Sequence, residues 1–212
     1  MEHENPDWLS STLLADRGAR VLACRIKPMQ VGWRVFARAL TVSVPPGDNL
    51  AIHAALSVAR EGDLLVVGGE GYLERALMGG IMCGQAAALK MAGVIIDGAV
   101  RDVAELRAGG FPVFAAGISP AGPTKHGDGS VFRPVVCGGV AINPGDWVFG
   151  DEDGVVTFTE EERTTLVRAA AQKLEAEQAR MAAIKRGDLT PAWLKSHLDR
   201  AAVDIAGRPW TP

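Results

Sequence analysis

The sequence predicts a single α/β domain that carries a C-terminal helical extension. Residues 63–97 follow a strand–helix–strand pattern, and residues 105–158 contain short β-branched runs separated by Gly, Pro and Asp. A helical pattern begins at Glu160. The length of 212 residues and the hydrophobic content of 48% suffice for one domain with a full core and no covalent cross-links.

The strand–helix–strand unit is preceded by a helix and contains one glycine-rich loop. Short β-branched runs bounded by glycine predict buried strands, and apolar residues at helical spacing predict helices packed on one side. The predicted elements are a helix capped by Asp48, a buried strand at 64–67, a loop at 68–71, a helix at about 79–91 and a strand at 94–96. The two strands are expected to be parallel, because a helix connects them.

Residues 105–158 predict a small, mostly antiparallel β layer. The candidate strands are 112–115, 131–132, 135–136, 147–149 and 155–158. Residues 144–146 and 151–154 are interpreted as turns. The acidic segment 151–154 lacks the length and the closing Glu of a helix-loop-helix calcium site.

The C-terminal part predicts one long helix, from Glu160 to about Arg186, followed by an apolar tail. One stripe of this helix holds Glu177 among apolar residues, either at the rim of the stripe or as a carboxylate presented to an adjoining subunit. Residues 190–212 contain Trp193, Leu194, Leu198, Val203, Ile205 and Trp210. We therefore expect a domain at 1–158 and a C-terminal helix and tail at 159–212 that pack on a neighbouring subunit.

Composition and charge exclude several classes of function. The net charge of −3 and the absence of a long basic run argue against nucleic acid binding. Cys24, Cys83 and Cys137 are odd in number and far apart, so they predict reduced core thiols. No apolar stretch reaches membrane-spanning length, and the first residues contain no apolar signal segment. We expect a cytoplasmic protein that does not bind membranes.

Arg101 and Asp102 are the strongest candidates in the chain for functional residues. Arg101 offers a planar fork that can hold a carboxylate with two hydrogen bonds. Asp102 offers the hard oxygen ligands that Mg²⁺ and Mn²⁺ prefer. The pair follows the predicted strand at 94–96 after a turn of four residues. An anion-binding group beside a cation ligand suits a small 2-oxo acid, whose carboxylate and keto oxygen can chelate a metal. The alternative is a surface ion pair at a strand exit.

Two adjacent glycines, Gly79 and Gly80, lie near the start of the predicted helix at 79–91. The backbone amides of Gly79, Gly80, Ile81 and Met82 are therefore candidates for binding an anion, although a glycine pair also permits close packing alone. Loops that leave two parallel strands open on the same edge of a sheet. We expect these amides to face Arg101 and Asp102 across a small cavity.

The ordered motifs of residues 35–186 resemble one known family, the class II 4-hydroxy-4-methyl-2-oxoglutarate / 4-carboxy-4-hydroxy-2-oxoadipate aldolases and the related regulator of ribonuclease activity A. The motifs that carry the resemblance are Gly62-Asp63-Leu-Leu-Val-Val67, Glu74-Arg-Ala-Leu77-x-Gly79, Gly93-Val-Ile-Ile-Asp-Gly-Ala-Val-Arg-Asp102, Phe111-Pro-Val-Phe-Ala115, Pro144-Gly-Asp146 and Asp151-x-Asp153-Gly-Val155.

The resemblance implies a swivelling β/β/α-type fold, and trimers or hexamers with the site at a subunit boundary. It also implies Mg²⁺ or Mn²⁺ as cofactor and pyruvate as product. Arg101 would bind the substrate and take part in catalysis, Asp102 would bind the metal, and Gly79 through Met82 would supply substrate-binding amides. One position differs, because aldolases of this family usually carry Asp or Glu where this chain has Gly80. Glu70 and Glu74 are the nearby candidates to replace that carboxylate.

We therefore expect a divalent-metal-dependent lyase that cleaves a 4-hydroxy-2-oxo diacid to pyruvate, decarboxylates oxaloacetate, or does both. Both reactions pass through a pyruvate enolate, whose negative oxygen a metal and Arg101 would stabilise. The alternatives are a non-catalytic regulatory protein on the same scaffold and a related enzyme that acts on a different small acid. Gly80 favours both alternatives.

Other residues are weaker candidates for the site. Cys83 is interpreted as a buried thiol rather than a nucleophile, because no partner histidine is evident. His126 lies in a predicted loop, where it could reach the distal carboxylate of a substrate or be solvated. His53 is expected to pack within its helix, Tyr72 either lines the pocket or packs, and Lys125 and Arg133 either attract a diacid or serve solubility.

Overall fold

The computed structural model describes residues 6–201 and residue 203. The chain divides into two compact units, Met1–Ala171 and Gln172–Pro212. The first unit contains the whole of the β structure. Ile205 and Trp210 of the predicted apolar tail lie outside the described residues.

Eleven strands occur in the described residues. They are β1 (Arg20–Val21), β2 (Lys27–Pro28), β3 (Val35–Ser43), β4 (Leu64–Met78), β5 (Gly93–Val100), β6 (Val113–Ile118), β7 (Ser130–Val131), β8 (Val135–Cys137), β9 (Val140–Ile142), β10 (Trp147–Gly150) and β11 (Val155–Phe158).

Six helices occur in the same part of the chain. They are α1 (Ser11–Ala15), α2 (Leu50–Val58), α3 (Gly80–Ala88), α4 (Val103–Gly109), α5 (Glu160–Lys185) and α6 (Leu194–Leu198). The predicted C-terminal helix is confirmed, because α5 begins at the predicted Glu160 and ends one residue before the predicted Arg186. Its first turn is rich in acids, Glu160, Glu161 and Glu162, which the helix dipole favours at an N-terminus.

The main sheet is mixed. Its strand order is β1-β11-β10-β3-β4-β5-β6-β2, and β7 pairs with β3 outside this path. The central strands β3, β4, β5 and β6 are parallel, whereas β10 and β11 are antiparallel and join the sheet through β3. This mixed α/β arrangement, with α5 as a C-terminal helix, confirms the predicted fold class.

Both faces of the central strands are buried, as the predicted strand at 64–67 requires. Leu65 and Val67 pack in one hydrophobic cluster with α2 and α3, whereas Leu64 and Val66 pack in a second cluster with Phe114. Each such side chain contributes about 1.5–3 kcal/mol when it is fully buried. The burial of two faces explains why this strand is continuously apolar rather than alternating.

Three expectations about local structure are wrong. The glycine-rich segment 68–71 belongs to β4, where Gly68 pairs with Asp97, Tyr72 with Gly98 and Ala76 with Ala99, so the intervening residues bulge from the ladder. The strands of residues 105–158 pair mostly antiparallel, as predicted, but they do not form a layer of their own, because β6, β7, β10 and β11 belong to the main sheet and β6 is parallel to β5. Cys24 is exposed, while Cys83 and Cys137 are buried free thiols.

The second unit contains the end of α5 and the short helix α6. The Arg180 guanidinium donates to the carbonyl oxygens of Asp188 and Leu189, at 3.0 and 2.9 Å, and so holds the turn after α5. Trp193 is 57% exposed and stacks edge-on with His197. No described helix is long and apolar enough to cross a membrane.

Candidate functional site

Arg101 and Asp102 follow the last residue of β5, as predicted. The Arg101 amide donates to the carbonyl oxygen of Met78 at 3.0 Å, which ties the exit of β5 to the exit of β4. Asp102 has φ +57° and ψ +38°, and it caps α4. A non-glycine residue in this left-handed conformation costs about 1–3 kcal/mol, and such strain concentrates at functional sites.

Gly79 and Gly80 bring the helix α3 against this pair. The Gly80 amide donates to Asp102 Oδ2 at 3.0 Å, and the same oxygen lies 3.5 Å from Arg101 Nε. A Cβ on Gly79 would stand 2.5 Å from Asp102 Oδ2 and 2.8 Å from Arg101 Cγ. Only a residue without a side chain fits there, so the predicted meeting of the two loops at one edge of the sheet is confirmed.

The predicted set of amides is only partly available to a ligand. The Gly80 amide already donates to Asp102, and Gly80 does not border the cavity beside Arg101. The first hydrogen bond within α3 runs from the Cys83 amide to the Gly79 carbonyl. The amides of Ile81 and Met82 precede that bond, and both residues border the cavity.

The cavity has a volume of about 150 Å³. Its lining combines the predicted residues with polar groups from two other segments: Asn49, His53, residues 76–79, Ile81, Met82, Arg101, Asp102, Pro123 and Lys125. Arg101 and Lys125 are cationic, and Asp102 is the one carboxylate in this lining. A small dianionic molecule would therefore find a cationic group from each of two segments.

Asn49 is a site residue that the sequence analysis missed. It is 2% exposed, and its Nδ2 donates to the carbonyl oxygen of Leu77 at 2.9 Å and contacts Met82 Sδ at 3.2 Å. Its Oδ1 is buried and has no hydrogen-bond partner in the described part of the chain. An unpaired buried oxygen costs about 1–3 kcal/mol, so a ligand that binds it restores that free energy.

His53 lies one helical turn after Asn49 on α2, and its amide donates to the Asn49 carbonyl at 3.2 Å. Its Nε2 is also buried without a partner among the described residues. The spacing of four residues puts both polar side chains on one face of α2. Polar residues at helical spacing beside the buried Ile52 and Leu56 are the sequence signal that could have revealed Asn49. His53 was expected to pack within its helix, whereas it borders the cavity.

Lys125 is held near the cavity by Asp48. Asp48 Oδ2 accepts hydrogen bonds from the Thr124 hydroxyl and from the amides of His126 and Gly127, and Oδ1 accepts one from Leu50 at the start of α2. Burial raises the pKa of the Asp48 carboxyl, but these hydrogen bonds outweigh it and hold the pKa well below its ordinary value. The structure places Asn49, and not the predicted Asp48, at the N-cap of α2, although the Asp48 side chain accepts the amide of Leu50, the first residue of that helix.

The remaining candidates lie elsewhere in the described structure. His126 is exposed, and neither it nor Tyr72, Arg133, Glu70 or Glu74 borders the cavity. Glu177 belongs to the second unit, where its carboxylate lies 3.4 Å from the Lys173 ammonium. Burial, together with the charges of Asp102 and Glu105, raises the pKa of the Cys83 thiol to about 12. Cys83 is therefore a buried thiol, as expected, and not a nucleophile.

The family model described as RraA-like, Aldolase/RraA, matches residues 11–157. The chain belongs to this family. It is 36% identical over 178 residues to a protein of Halalkalibacterium halodurans named "Putative 4-hydroxy-4-methyl-2-oxoglutarate aldolase", a match that covers 83% of this chain and 85% of that protein. The expectation of family membership is therefore confirmed.

Two solved structures of family members share the fold. The RNA-processing inhibitor RraA from Thermus thermophilis superposes with a TM-score of 0.66 at 32% identity, covering 72% of this chain and 93% of that one. The RNase ES inhibitor family member RraAS2 of Streptomyces coelicolor gives a TM-score of 0.74 at 26% identity, covering 82% and 93%. The Aldolase/RraA family therefore includes members named for an aldolase activity and members named for RNA-processing inhibition.

Proposed function

We propose that this member of the family is a carbon–carbon lyase that releases pyruvate from a small 4-hydroxy-2-oxo diacid, decarboxylates oxaloacetate, or does both, with Mg²⁺ or Mn²⁺ held at Asp102. The observation that carries the proposal is the meeting of Arg101, Asp102 and Gly79 at a cavity that also holds Asn49 and Lys125. The likeness to a protein named as an aldolase supports the same chemistry.

The substrate's 2-oxo carboxylate is bound by Arg101 and by the free amides at the start of α3. A guanidinium and backbone amides are the donors that bind carboxylates most strongly in proteins. Lys125, in the same cavity lining, supplies the second positive charge that a dicarboxylate needs. We therefore expect diacids to bind better than the corresponding monoacids.

The donor atoms at the site fit a small hard cation. Asp102 offers carboxylate oxygens, and the buried Asn49 Oδ1 lacks a partner among the described residues. The described residues contain no group of three His, Cys, Asp or Glu side chains that could enclose a metal by themselves. This suits Mg²⁺, which usually binds one or two carboxylates together with a substrate. A bound cation would polarise the substrate's keto oxygen and stabilise negative charge on it.

Side chains of the protein accept the proton and stabilise the negative charge that develops when the C3–C4 bond is cleaved. His53 Nε2 accepts the proton of the C4 hydroxyl, the C4–O bond becomes a carbonyl, and the C3–C4 electron pair enters a pyruvate enolate. Arg101 stabilises the enolate oxygen, and the proton that His53 accepted passes to C3, which gives pyruvate and restores the neutral imidazole. Decarboxylation of oxaloacetate releases CO₂ with the same enolate and needs no base.

The test is a panel of oxaloacetate and 4-hydroxy-2-oxo diacids with pyruvate detection, in Mg²⁺ or Mn²⁺ and with or without chelator. We expect pyruvate above the rate of the metal alone, abolished by chelator. Arg101→Lys keeps the charge but loses the planar fork, so kcat/KM is expected to fall about 10–100-fold. Arg133→Lys, outside the cavity lining, is the matched control. Release of pyruvate no faster than by metal alone contradicts the proposal.

A second candidate is a non-catalytic regulatory protein. The similarity at 32% identity to an RNA-processing inhibitor, together with Gly80, favours it. Absence of turnover across the panel, together with a stable macromolecular partner recovered with the purified protein, would support this function instead. Saturable metal binding with turnover and no such partner would exclude it.

We also propose that the protein is a homotrimer or homohexamer with its sites at subunit boundaries. The Ile81 side chain, 84% exposed beside the cavity, supports a covering chain on that side. Glu177 is the carboxylate that a neighbouring subunit would present. Light scattering coupled to size exclusion tests the assembly. Loss of activity in Glu177→Gln, but not in the control Glu175→Gln, tests the role of Glu177.

A further inference from the structure

The carboxyl group of Glu105 occupies the space in which a side chain at position 80 would lie. The Glu105 Cδ, Oε1 and Oε2 atoms all stand within 2.5 Å of the point where a Cβ on Gly80 would be. Real Cβ atoms essentially never approach other atoms below 3.0 Å. The exposed Glu105 side chain therefore fills the space beside Gly80 with its flexible end, and it would have to turn aside for a larger residue at position 80.

Glu105 comes from the same element as Asp102. Asp102 occupies the N-cap position of α4, and Glu105 lies in the first turn of that helix, three residues later. Burial is the main cause of the raised pKa of Cys83 on α3, and the charges of Asp102 and Glu105 raise that pKa further. Both carboxylates therefore lie near the first turn of α3. Asp102 is linked to that turn directly through the Gly80 amide.

The two carboxylates differ in what holds them. Asp102 Oδ2 lies 3.5 Å from Arg101 Nε and accepts the Gly80 amide, and these contacts offset much of its negative charge. No hydrogen bond or ion pair from another described residue engages Glu105, which lines a smaller cavity of about 120 Å³ together with Gly80 and Cys83. A second carboxylate would strengthen the binding of a divalent cation beside Arg101, and Glu105 is placed to supply it.

We infer that Glu105 is the second carboxylate of the cation site at Asp102, reaching it from α4 through the side-chain space that Gly80 leaves empty. This inference rests on the proposed function, and it explains why the chain dispenses with an acidic side chain at position 80. Asn49 Oδ1, buried without a hydrogen-bond partner among the described residues, lies in the same lining as Asp102 and is an independent reason to expect a ligand there. Glu70 and Glu74, the carboxylates that the sequence suggested for this role, border neither cavity.

Titration of the metal-free full-length protein with Mn²⁺, followed by the electron paramagnetic resonance signal of free Mn²⁺, tests the inference without substrate. We expect Glu105→Gln to weaken Mn²⁺ binding about 10–100-fold, the usual cost of losing a partner beside a metal ligand. Asp102→Asn should weaken it further, and Glu74→Gln, an exposed control, should leave it unchanged. The double variant Glu105→Gln/Gly80→Asp should regain affinity, because its new carboxylate enters the space that the neutral Gln can vacate.

The possible results of the Mn²⁺ titration distinguish a failure of the inference about Glu105 from a failure of the proposed function. If Glu105→Gln binds Mn²⁺ as tightly as the wild type while Asp102→Asn does not, the role of Glu105 is wrong and the proposed metal site stands. If the wild type shows no saturable binding, or Asp102→Asn binds equally well, both are wrong. Matching far-UV circular dichroism spectra and unfolding midpoints exclude misfolding of the variants as the cause.

Discussion

The Asp48 carboxylate accepts a hydrogen bond of 2.7 Å from the Thr124 hydroxyl, and so joins the start of α2 to the loop that carries Lys125. The same oxygen accepts the amides of His126 and Gly127 at 2.8 and 3.0 Å. A single buried carboxylate thus fixes two of the segments that line the cavity. Its contribution to both stability and ligand binding can be measured.

Asp48→Asn is expected to destabilise the fold and to weaken substrate binding. The Asn amide nitrogen cannot accept a hydrogen bond, so some of the loop donors lose their partner, at a cost of about 1–3 kcal/mol. Displacement of Lys125 should raise KM more than it lowers kcat. Chemical denaturation and steady-state kinetics measure the two effects. Asp128→Asn, an exposed change in the same loop, is the control, and equal behaviour of the two variants would contradict the role of Asp48.

The same carboxylate predicts how stability depends on pH. The pKa of Asp48 is lower in the folded protein than its ordinary value of 3.8, so the folded state binds this proton less tightly than the unfolded state does. Its contribution is therefore complete above about pH 5 and is lost progressively as the pH falls below 3.8 toward the folded pKa. The difference in unfolding free energy between the wild type and Asp48→Asn should shrink over that range. A difference that stayed constant down to pH 2 would contradict the assignment.

Gly79→Ala is expected to abolish activity with little change in the backbone. Gly79 has φ −152°, which alanine adopts freely, so the effect is steric: a Cβ would meet Asp102 Oδ2 and Arg101 Cγ. Since both side chains must move, kcat/KM should fall at least about 100-fold, the usual cost of a misplacement of about 1 Å. Gly84→Ala, on the same helix with no atom within 4 Å of its Cβ, should keep full activity. Similar activities for the two variants would contradict this account.

The sequence predicted the parts of the site that lie next to one another along the chain. Arg101 and Asp102 follow a buried strand, and parallel strands bring their exits to one edge, so the meeting with Gly79 followed from periodicity alone. The strand boundaries were less predictable. In β4 the glycines at 68–71 normally signal a loop, whereas here they allow a bulge between two paired stretches of one strand.

The sequence did not predict which distant segments meet at the site. Asn49 was missed, and Lys125 was named only as a residue that either attracts a diacid or serves solubility. Asp48 brings their segments together through hydrogen bonds that span more than seventy residues and leave no local pattern. Glu105 was missed for a related reason, since only packing against Gly80 distinguishes it from any exposed acid in the first turn of a helix. The positions of Asn49, Lys125 and Glu105 in the site depend on tertiary contacts, and not on local secondary-structure propensity.

The three cysteines are expected to differ sharply in reactivity. Cys24 is exposed, whereas burial, as the main cause, raises the pKa of both Cys83 and Cys137 to about 12. Because the thiolate is the reactive form, only Cys24 should react rapidly with an aromatic disulfide reagent at pH 8 in the native protein. Cys24→Ser should remove the rapid phase, while the unfolded wild type should titrate all three thiols. A rapid phase that persisted in Cys24→Ser would show that Cys83 or Cys137 is accessible, and the burial assigned to α3 and β8 would be wrong.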